Sequence, residues 1–447
     1  MSISKRRYAQ VKSVALVSSG NFLEMYDFMV FAFYAKYIAA AFFPAGDELS
    51  SILAALMAFG AGFLTRPLGG ILLGAYVDRY GRRAGLILSL ALMGLGTLSI
   101  AIMPTYAQIG IVAPALILVG RLLQGLAAGV QVGGVSVYLA EIAPPEKKGF
   151  YVAWQSASQQ MAIIFAALIG FVANAYLSKQ QMAAFGWRIP FLIGCTLIPF
   201  LFVIRRWLEE TPAFLAQKQP PKFAFILHSF FLSWRVVLLG AMMATMTTVF
   251  FYMVTTYTPT YGNTVLKLSV SDSLIVTMAV GVVNFILLPT MGGLSDRIGR
   301  KPLLIACSLL GLVTSYPALL WLVQSPTFGR LMAVELWLAV IYAAYNGAMI
   351  VFLTEVMPTN VRTTGFSFAY SLATAVFGGF TPAISTALIN YAQQHGYANA
   401  QAVPGIWLGG AAAIGLVAVL ILSGGRVARE AAASQRDRMA RSVDAHG

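Results

Sequence analysis

Charge is scarce in this chain. Only 10% of its 447 residues are Asp, Glu, Lys or Arg, against about a quarter in soluble domains, which excludes a water-exposed globule. Cysteine is nearly missing: Cys195 and Cys307 sit far apart inside apolar runs, so neither a disulfide framework nor a metal cluster is supported. The three histidines, His228, His395 and His446, fall in loops or the tail, beside no nucleophile. P-loop, HExxH and GxSxG patterns are also missing, so an enzyme is not expected, nor ATP-driven work, a cofactor or a metal. The net charge of +14 is spread out, whereas nucleic-acid binding needs a contiguous basic patch or stripe.

What the chain has is apolar length. It is 59% hydrophobic with a mean hydropathy of +0.77. Twelve segments approach the ~20 residues that cross hydrocarbon: 13–40, 50–77, 84–103, 109–140, 150–174, 187–207, 234–261, 271–295, 302–324, 331–356, 363–391 and 404–424. The run after the basic start, "MSISKRRYAQVKSVALV", is too long for a signal peptide and is expected as a retained helix. Lys and Arg cluster at 5–12, 79–83, 147–148, 205–235, 297–301, 362 and 426–441, all on alternate loops. The other loops carry only Lys36, Lys179, Arg188, Lys267 and Arg330, while Arg66 and Arg121 lie within helices. That asymmetry predicts cytoplasmic termini, with a basic face suited to the anionic lipid bilayer surface.

One half repeats the other. "GAYVDRYGRR" (Gly74–Arg83) returns as "GGLSDRIGRK" (Gly292–Lys301), placing Asp78 and Asp296 218 residues apart. Glu141 matches Glu355 and Pro144 matches Pro358 at an offset of 214, and Gly149–Phe150 match Gly365–Phe366 at 216. The expected fold is therefore an all-α membrane protein with twelve transmembrane helices in two pseudo-symmetric six-helix bundles. The bundles span 1–207 and 234–424, joined by a cytoplasmic linker, 208–233, and followed by a basic tail, 425–447. Repeated halves are the mark of transporters that rock one bundle against the other around a central site.

The doubled loop motif resembles the signature of the major facilitator superfamily. "RPLGG" (66–70), "GRLLQG" (120–125), "WRIPF" (187–191), "EETPAF" (209–214) and "SLATAVFGGFTPAIST" (371–386) resemble its metabolite:proton symporter branch. "SGNFLEMYDF", "GGVSVYLAEIA" and "WQSASQQ" are similar to the citrate and tricarballylate proton symporters within it. Gln131 departs, standing where those relatives are expected to carry glutamate. The resemblance implies import of a tricarboxylate, citrate or tricarballylate, by proton symport through alternating access in a bacterial inner membrane. A dicarboxylate or a zwitterionic osmolyte is the alternative cargo, and Na⁺ the alternative coupling ion. It also implies a cytoplasmic latch made by Asp78, Arg82, Arg83, Glu141, Asp296, Arg300 and Glu355.

Charge inside a membrane helix costs about 2.5–3.5 kcal/mol on insertion scales and is usually functional. Glu24, Asp27, Arg66 and Arg121 are such charges, and their formal sum is zero. Counting ~1.5 Å per residue puts Asp27, Arg66 and Arg121 in the middle band of the bilayer. Asn21, Glu24 and Asp27 share a helix face. Crowded carboxylates favour protonation of one, and a nearby arginine opposes it. A proton on Glu24 or Asp27 is thus expected to free a guanidinium for a substrate carboxylate, which it matches bidentately. A permanent ion pair between helices is the competing reading, chiefly for Glu24 with Arg66. Polar faces complete an expected chamber: Tyr26 and Gln124 beside the charges; Gln155, Ser158 and Gln159; Tyr252 and Thr256; Tyr345 and Asn346; and Ser371 and Thr374, which match Gln155 and Ser158 through the repeat. Gly120, Gly125, Gly129, Gly133 and Gly134 are read as packing residues, and Gly378, Gly379 and Pro382 as a kink.

Overall fold

The computed structural model describes residues 14, 21–22, 24–45, 47–80, 82–129, 131–206, 233–357 and 362–423. Within them the chain is helical, with no strand among the described residues. The first bundle comprises α1 (24–42), α2 (Glu48–Ala61 and Arg66–Tyr80), α3 (Arg82–Ile102), α4 (Val112–Ala128 and Gln131–Ile142), α5 (Lys148–Tyr176) and α6 (Ile189–Arg206). The second comprises α7 (Trp234–Val265), α8 (Val270–Ile298), α9 (Arg300–Gln324), α10 (Phe328–Val356), α11 (Arg362–Ala373 and Thr381–Gln394) and α12 (Pro404–Ser423). Among the described residues, nine of these helices are long and apolar enough to cross a membrane; α1, α3 and α6 adjoin or contain residues outside the described side chains. The linker, the tail, and the side chains of Asp78, Arg82, Arg83, Gln131 and Glu141 also lie outside them.

Burial separates central from peripheral helices. The apolar windows of α7 and α10 are 89% and 83% buried against protein, whereas that of α9 is 33% buried. The outward residues of α9, such as Leu309 and Val313, are the kind of apolar surface that lipid covers without penalty.

Proline decides where the central helices break. Pro67 offers no N–H and crowds the carbonyl four residues earlier, and α2 interrupts its helix just before it, at residues 62–65. Thr65 covers the gap, donating its hydroxyl to the Leu122 carbonyl of α4 (2.7 Å). In α7, π-helical turns at Tyr252–Tyr257 and Tyr261–Val265 flank Pro259. In α11 a π-helical turn, Thr374–Gly378, precedes Pro382, and the helix resumes at Thr381. Widened turns accommodate a missing donor without leaving buried carbonyls stranded.

Glycine fixes the closest helix contacts. A Cβ on Gly125 of α4 would collide with the Gly62 carbonyl of α2, and one on Gly129 with that of Arg66. Backbone thus touches backbone along α2 and α4, which delivers Arg66 and Arg121 to one place. The same device joins the bundles, where Gly149 of α5 and Gly292 of α8 each face the other's carbonyl.

Candidate functional site

The four intramembrane charges lie in the interior between the bundles. Asp27 and Arg121 are 0% exposed, Glu24 2% and Arg66 3%, so all four charges are buried. Arg66 Nη2 meets Glu24 Oε1 at 2.6 Å, a direct ion pair between α2 and α1. From the second bundle, Tyr252 and Tyr370 lie close enough to feel both of those charges. The ring of Tyr252 also packs edge-on against Phe59 (6.0 Å) and Phe63 (5.3 Å) of α2.

Arg121 and Asp27 interact differently. No direct ion pair joins them among the described residues, though they are within electrostatic reach. A relay connects them instead. Arg121 Nη1 donates to Gln124 Oε1 (2.7 Å), Gln124 Nε2 to Thr97 Oγ1 (3.0 Å), and Thr97 Oγ1 to Asp27 Oδ2 (2.5 Å). The Thr97 hydroxyl also reaches the Met93 carbonyl of its own helix (3.0 Å), so its one hydrogen serves either the carbonyl or the carboxylate, and the link can carry an ionised or a protonated Asp27. Asp27 Oδ1 and Arg121 Nε have no hydrogen-bond partner among the described residues. The guanidinium rests on three rings, 4.5 Å from Phe28, 4.6 Å from Phe31 and 5.1 Å from Phe59. Aromatic faces supply cation–π attraction in a dry setting, and the donor edge is lightly committed: Nη2 makes one long bond to the Phe59 carbonyl (3.5 Å) and Nε makes none among the described residues.

The other expected site residues divide by geometry. Asn21 donates to the Gln155 carbonyl (3.3 Å), and Asn21 Oδ1, Gln155 Nε2 and Asn346 Oδ1 remain without partners among the described residues. Thr256 reaches Met29 Sδ across the bundle interface (3.4 Å), and Gln159 and Ser371 are buried. Four side chains are turned elsewhere. Tyr26 donates to the Pro190 carbonyl of α6 (2.7 Å) and Tyr345 to the Met243 carbonyl of α7 (3.1 Å). Ser158 and Thr374 donate to carbonyls of their own helices, Gln155 (2.8 Å) and Tyr370 (2.8 Å). Two residues were missed by sequence reasoning: Thr97, the middle of the relay, and Glu335, a fully buried carboxyl on α10. Glu335 was findable by the intramembrane-charge rule itself, whereas a lone threonine in an apolar helix gives no such signal.

At the basic end, Asp296 of α8 accepts hydrogen bonds from the backbone N–H groups of Gly149 (2.9 Å) and Phe150 (3.1 Å). Those groups open α5, so the carboxylate sits on a helix N-terminus of the other bundle, where the macrodipole favours it. Arg300 pairs with Asp296 (2.7 Å) and Glu355 (3.3 Å). These contacts tie α8 to α5 and, through Arg300, to α10 at that end. The remaining residues expected in the latch are outside the described side chains.

Two six-helix bundles with a buried charged cluster between helices are the arrangement of a secondary transporter. Residues 17–382 match the Major Facilitator Superfamily, and the chain belongs to that family. It is 55% identical over 410 residues to a citrate-proton symporter of Salmonella typhi, covering 92% of this chain and 93% of that one. A citrate-proton symporter of Klebsiella pneumoniae is 53% identical over 414 residues, covering 93% and 92%. Among solved structures, the proton:xylose symporter XylE bound to 6-bromo-6-deoxy-D-glucose superposes with a TM-score of 0.73 at 20% identity. That superposition covers 93% of this chain and 96% of the other, and supports the fold alone.

Proposed function

We propose that this carrier imports a tricarboxylate, citrate or tricarballylate, together with protons, by alternating access. The observation that carries the reading is Arg121: a buried guanidinium with no carboxylate of its own, tied to Asp27 only through Gln124 and Thr97. The names of its relatives support the cargo class. Protonating Asp27 removes the charged acceptor at the end of the relay, so Thr97 and Gln124 loosen and Arg121 turns its donor edge to a substrate carboxylate. Arg66, held by Glu24, is placed to take a second carboxylate once that acid is protonated or displaced. Of the orphaned amide atoms, Gln155 Nε2 is a donor suited to a further carboxylate oxygen, whereas Asn21 Oδ1 and Asn346 Oδ1 are acceptors suited to a hydroxyl or a protonated carboxyl of the substrate.

In this reading the two bundles, 1–207 and 234–424, rock about the site in a bacterial inner membrane, with both termini cytoplasmic. Asp296, Arg300 and Glu355 then latch the cytoplasmic side, and the basic end described above is that side. Uptake of labelled citrate and tricarballylate into vesicles, with an imposed pH gradient and with or without Na⁺, tests it. Stimulation by an inward proton gradient, lost in Asp27→Asn, is the expected result. Uptake of a zwitterionic osmolyte but of neither acid overturns the cargo, and accumulation by Asp27→Asn equal to wild type removes Asp27 from the coupling.

A further inference from the structure

Glu335 lies in α10 and takes no part in the cluster around Arg121. It is 0% exposed, and neither carboxyl oxygen has a hydrogen-bond partner among the described residues. The neighbour against it is Thr258, in the short helical stretch between the two π-helical turns of α7. Of the helices packed on α10 (α4, α5, α7, α8, α9 and α11), only α7 presents it a titratable group among the described residues, the phenol of Tyr261. No cation faces it among the described residues.

The hydroxyl hydrogens nearby are already engaged. Thr258 donates to the carbonyls of Val254 (2.9 Å) and Met253 (3.3 Å), and Tyr261 to that of Gln401 (2.7 Å). Thr386 gives its hydrogen to the Pro382 carbonyl (2.8 Å), so Tyr257 donates to Thr386 across 2.9 Å. What these groups offer freely is lone pairs. Thr258, the hydroxyl against Glu335, divides its one hydrogen between the Val254 and Met253 carbonyls, so a carboxylate has only that shared donor to accept from, whereas a carboxylic acid can donate its own proton to the Thr258 oxygen. An unpaired, dehydrated carboxylate is also the costliest state of the group.

The internal repeat supplies a second, independent observation. Glu335 follows Arg121 by 214 residues, the offset that relates Glu141 to Glu355 on the same pair of helices and Pro144 to Pro358 just beyond them in sequence. Glu335 thus occupies in α10 the place of Arg121 in α4. Arg121 faces α1 around Phe28 and Phe31; Glu335 faces α7, the first helix of the second bundle.

We infer that Glu335 is a second proton-carrying group, loaded in this conformation and discharged when the neighbouring stretch of α7 bends to admit water. The inference rests on the proton-symport reading and adds a coupled proton to it. No covalent change is involved: the carboxyl takes up one proton on one side of the membrane and yields it on the other.

The test is the steady-state accumulation of labelled citrate in proteoliposomes, with the membrane potential clamped at zero and a pH gradient of about one unit. Each coupled proton multiplies the accumulation ratio by the proton gradient, so Glu335→Gln is expected to accumulate about tenfold less than wild type. Glu335→Asp, which keeps the acid, is expected to match wild type. A wild type indifferent to the gradient refutes proton symport itself. A wild type that responds, with an equal ratio in Glu335→Gln, overturns only the role of Glu335. A deficit that appears in Glu335→Gln under a Na⁺ gradient alone overturns it in favour of a cation site. If the Gln variant fails to fold, infrared spectra of wild type and Glu335→Asp decide: a protonated-carboxyl band at neutral pH that shifts with the substitution supports the inference, and its absence overturns it.

Discussion

Replacing Asp296 by alanine removes both acceptors that hold the N-terminus of α5 against α8. Hydrogen bonds to a charged group contribute about 1.5–3 kcal/mol each, and the two N–H groups of Gly149 and Phe150 are left without their partner only while the basic end stays shut. When that end opens, water satisfies them. The loss is therefore differential, roughly 3–5 kcal/mol in favour of the open state. That corresponds to a shift of about a hundred- to a few thousand-fold in the conformational equilibrium. Spin labels on the exposed Lys147 and Arg297, in a background without Cys195 and Cys307, report the distance across this end. Wild type is expected to populate the short distance and Asp296→Ala the long one, with Asp296→Asn between them because it keeps one acceptor. Glu355→Ala, which touches only Arg300 at 3.3 Å, should move the distribution far less. Equal distributions in wild type and Asp296→Ala, or an equal shift in Glu355→Ala, refute the reasoning.

Four further outcomes are expected. Thr97→Val cuts the relay, and gradient-driven accumulation of citrate should fall by about tenfold or more while Thr97→Ser restores it, as measured in vesicles. Arg66→Gln removes the cation paired with a buried Glu24 and should cost about 3–5 kcal/mol in thermal or denaturant unfolding. The double variant Glu24→Gln/Arg66→Gln should regain much of that stability but not transport; recovered transport would make the pair purely structural. Gly125→Ala drives a methyl into the Gly62 carbonyl and should destabilise by about 1–3 kcal/mol, seen as a lowered Tm, with a larger residue worse. Arg188→Ala frees the carbonyls of Ala101 and Met103 that its guanidinium holds at 3.1 and 2.8 Å, and should lower stability by about 1–3 kcal/mol without changing coupling.

Much of the architecture was legible because the membrane enforces it. An apolar run of membrane length has few options other than a helix, and the repeat of "DRYGRR" as "DRIGRK" states the two-bundle plan directly. The charges announced themselves by their cost. Their partners did not. Periodicity places Tyr26 and Tyr345 on inward faces, but a tyrosine is long enough to pass its neighbours, and both hydroxyls end on backbone carbonyls of adjacent helices. The pairing of Arg121 with Asp27 through two polar side chains depends on helix spacing of a few ångströms, which no pattern in one dimension carries. Helix 11 was expected to kink at Gly378, Gly379 and Pro382, and the structure departs from regular helix there: a widened turn, Thr374–Gly378, runs into a break at Gly379–Phe380 before the helix resumes at Thr381, because the backbone yields upstream of a proline.

The three phenylalanine rings around Arg121 carry a kinetic consequence. They cover the faces of the guanidinium and keep solvent from competing for it, so an anion bound there, as proposed above, would have no exchange partner while the carrier is sealed. Departure must wait for a water file to reach the pocket. Residence time is thereby slaved to gate opening, and slippage, the futile passage of protons without cargo, is restrained by hydrophobic walls rather than by grip.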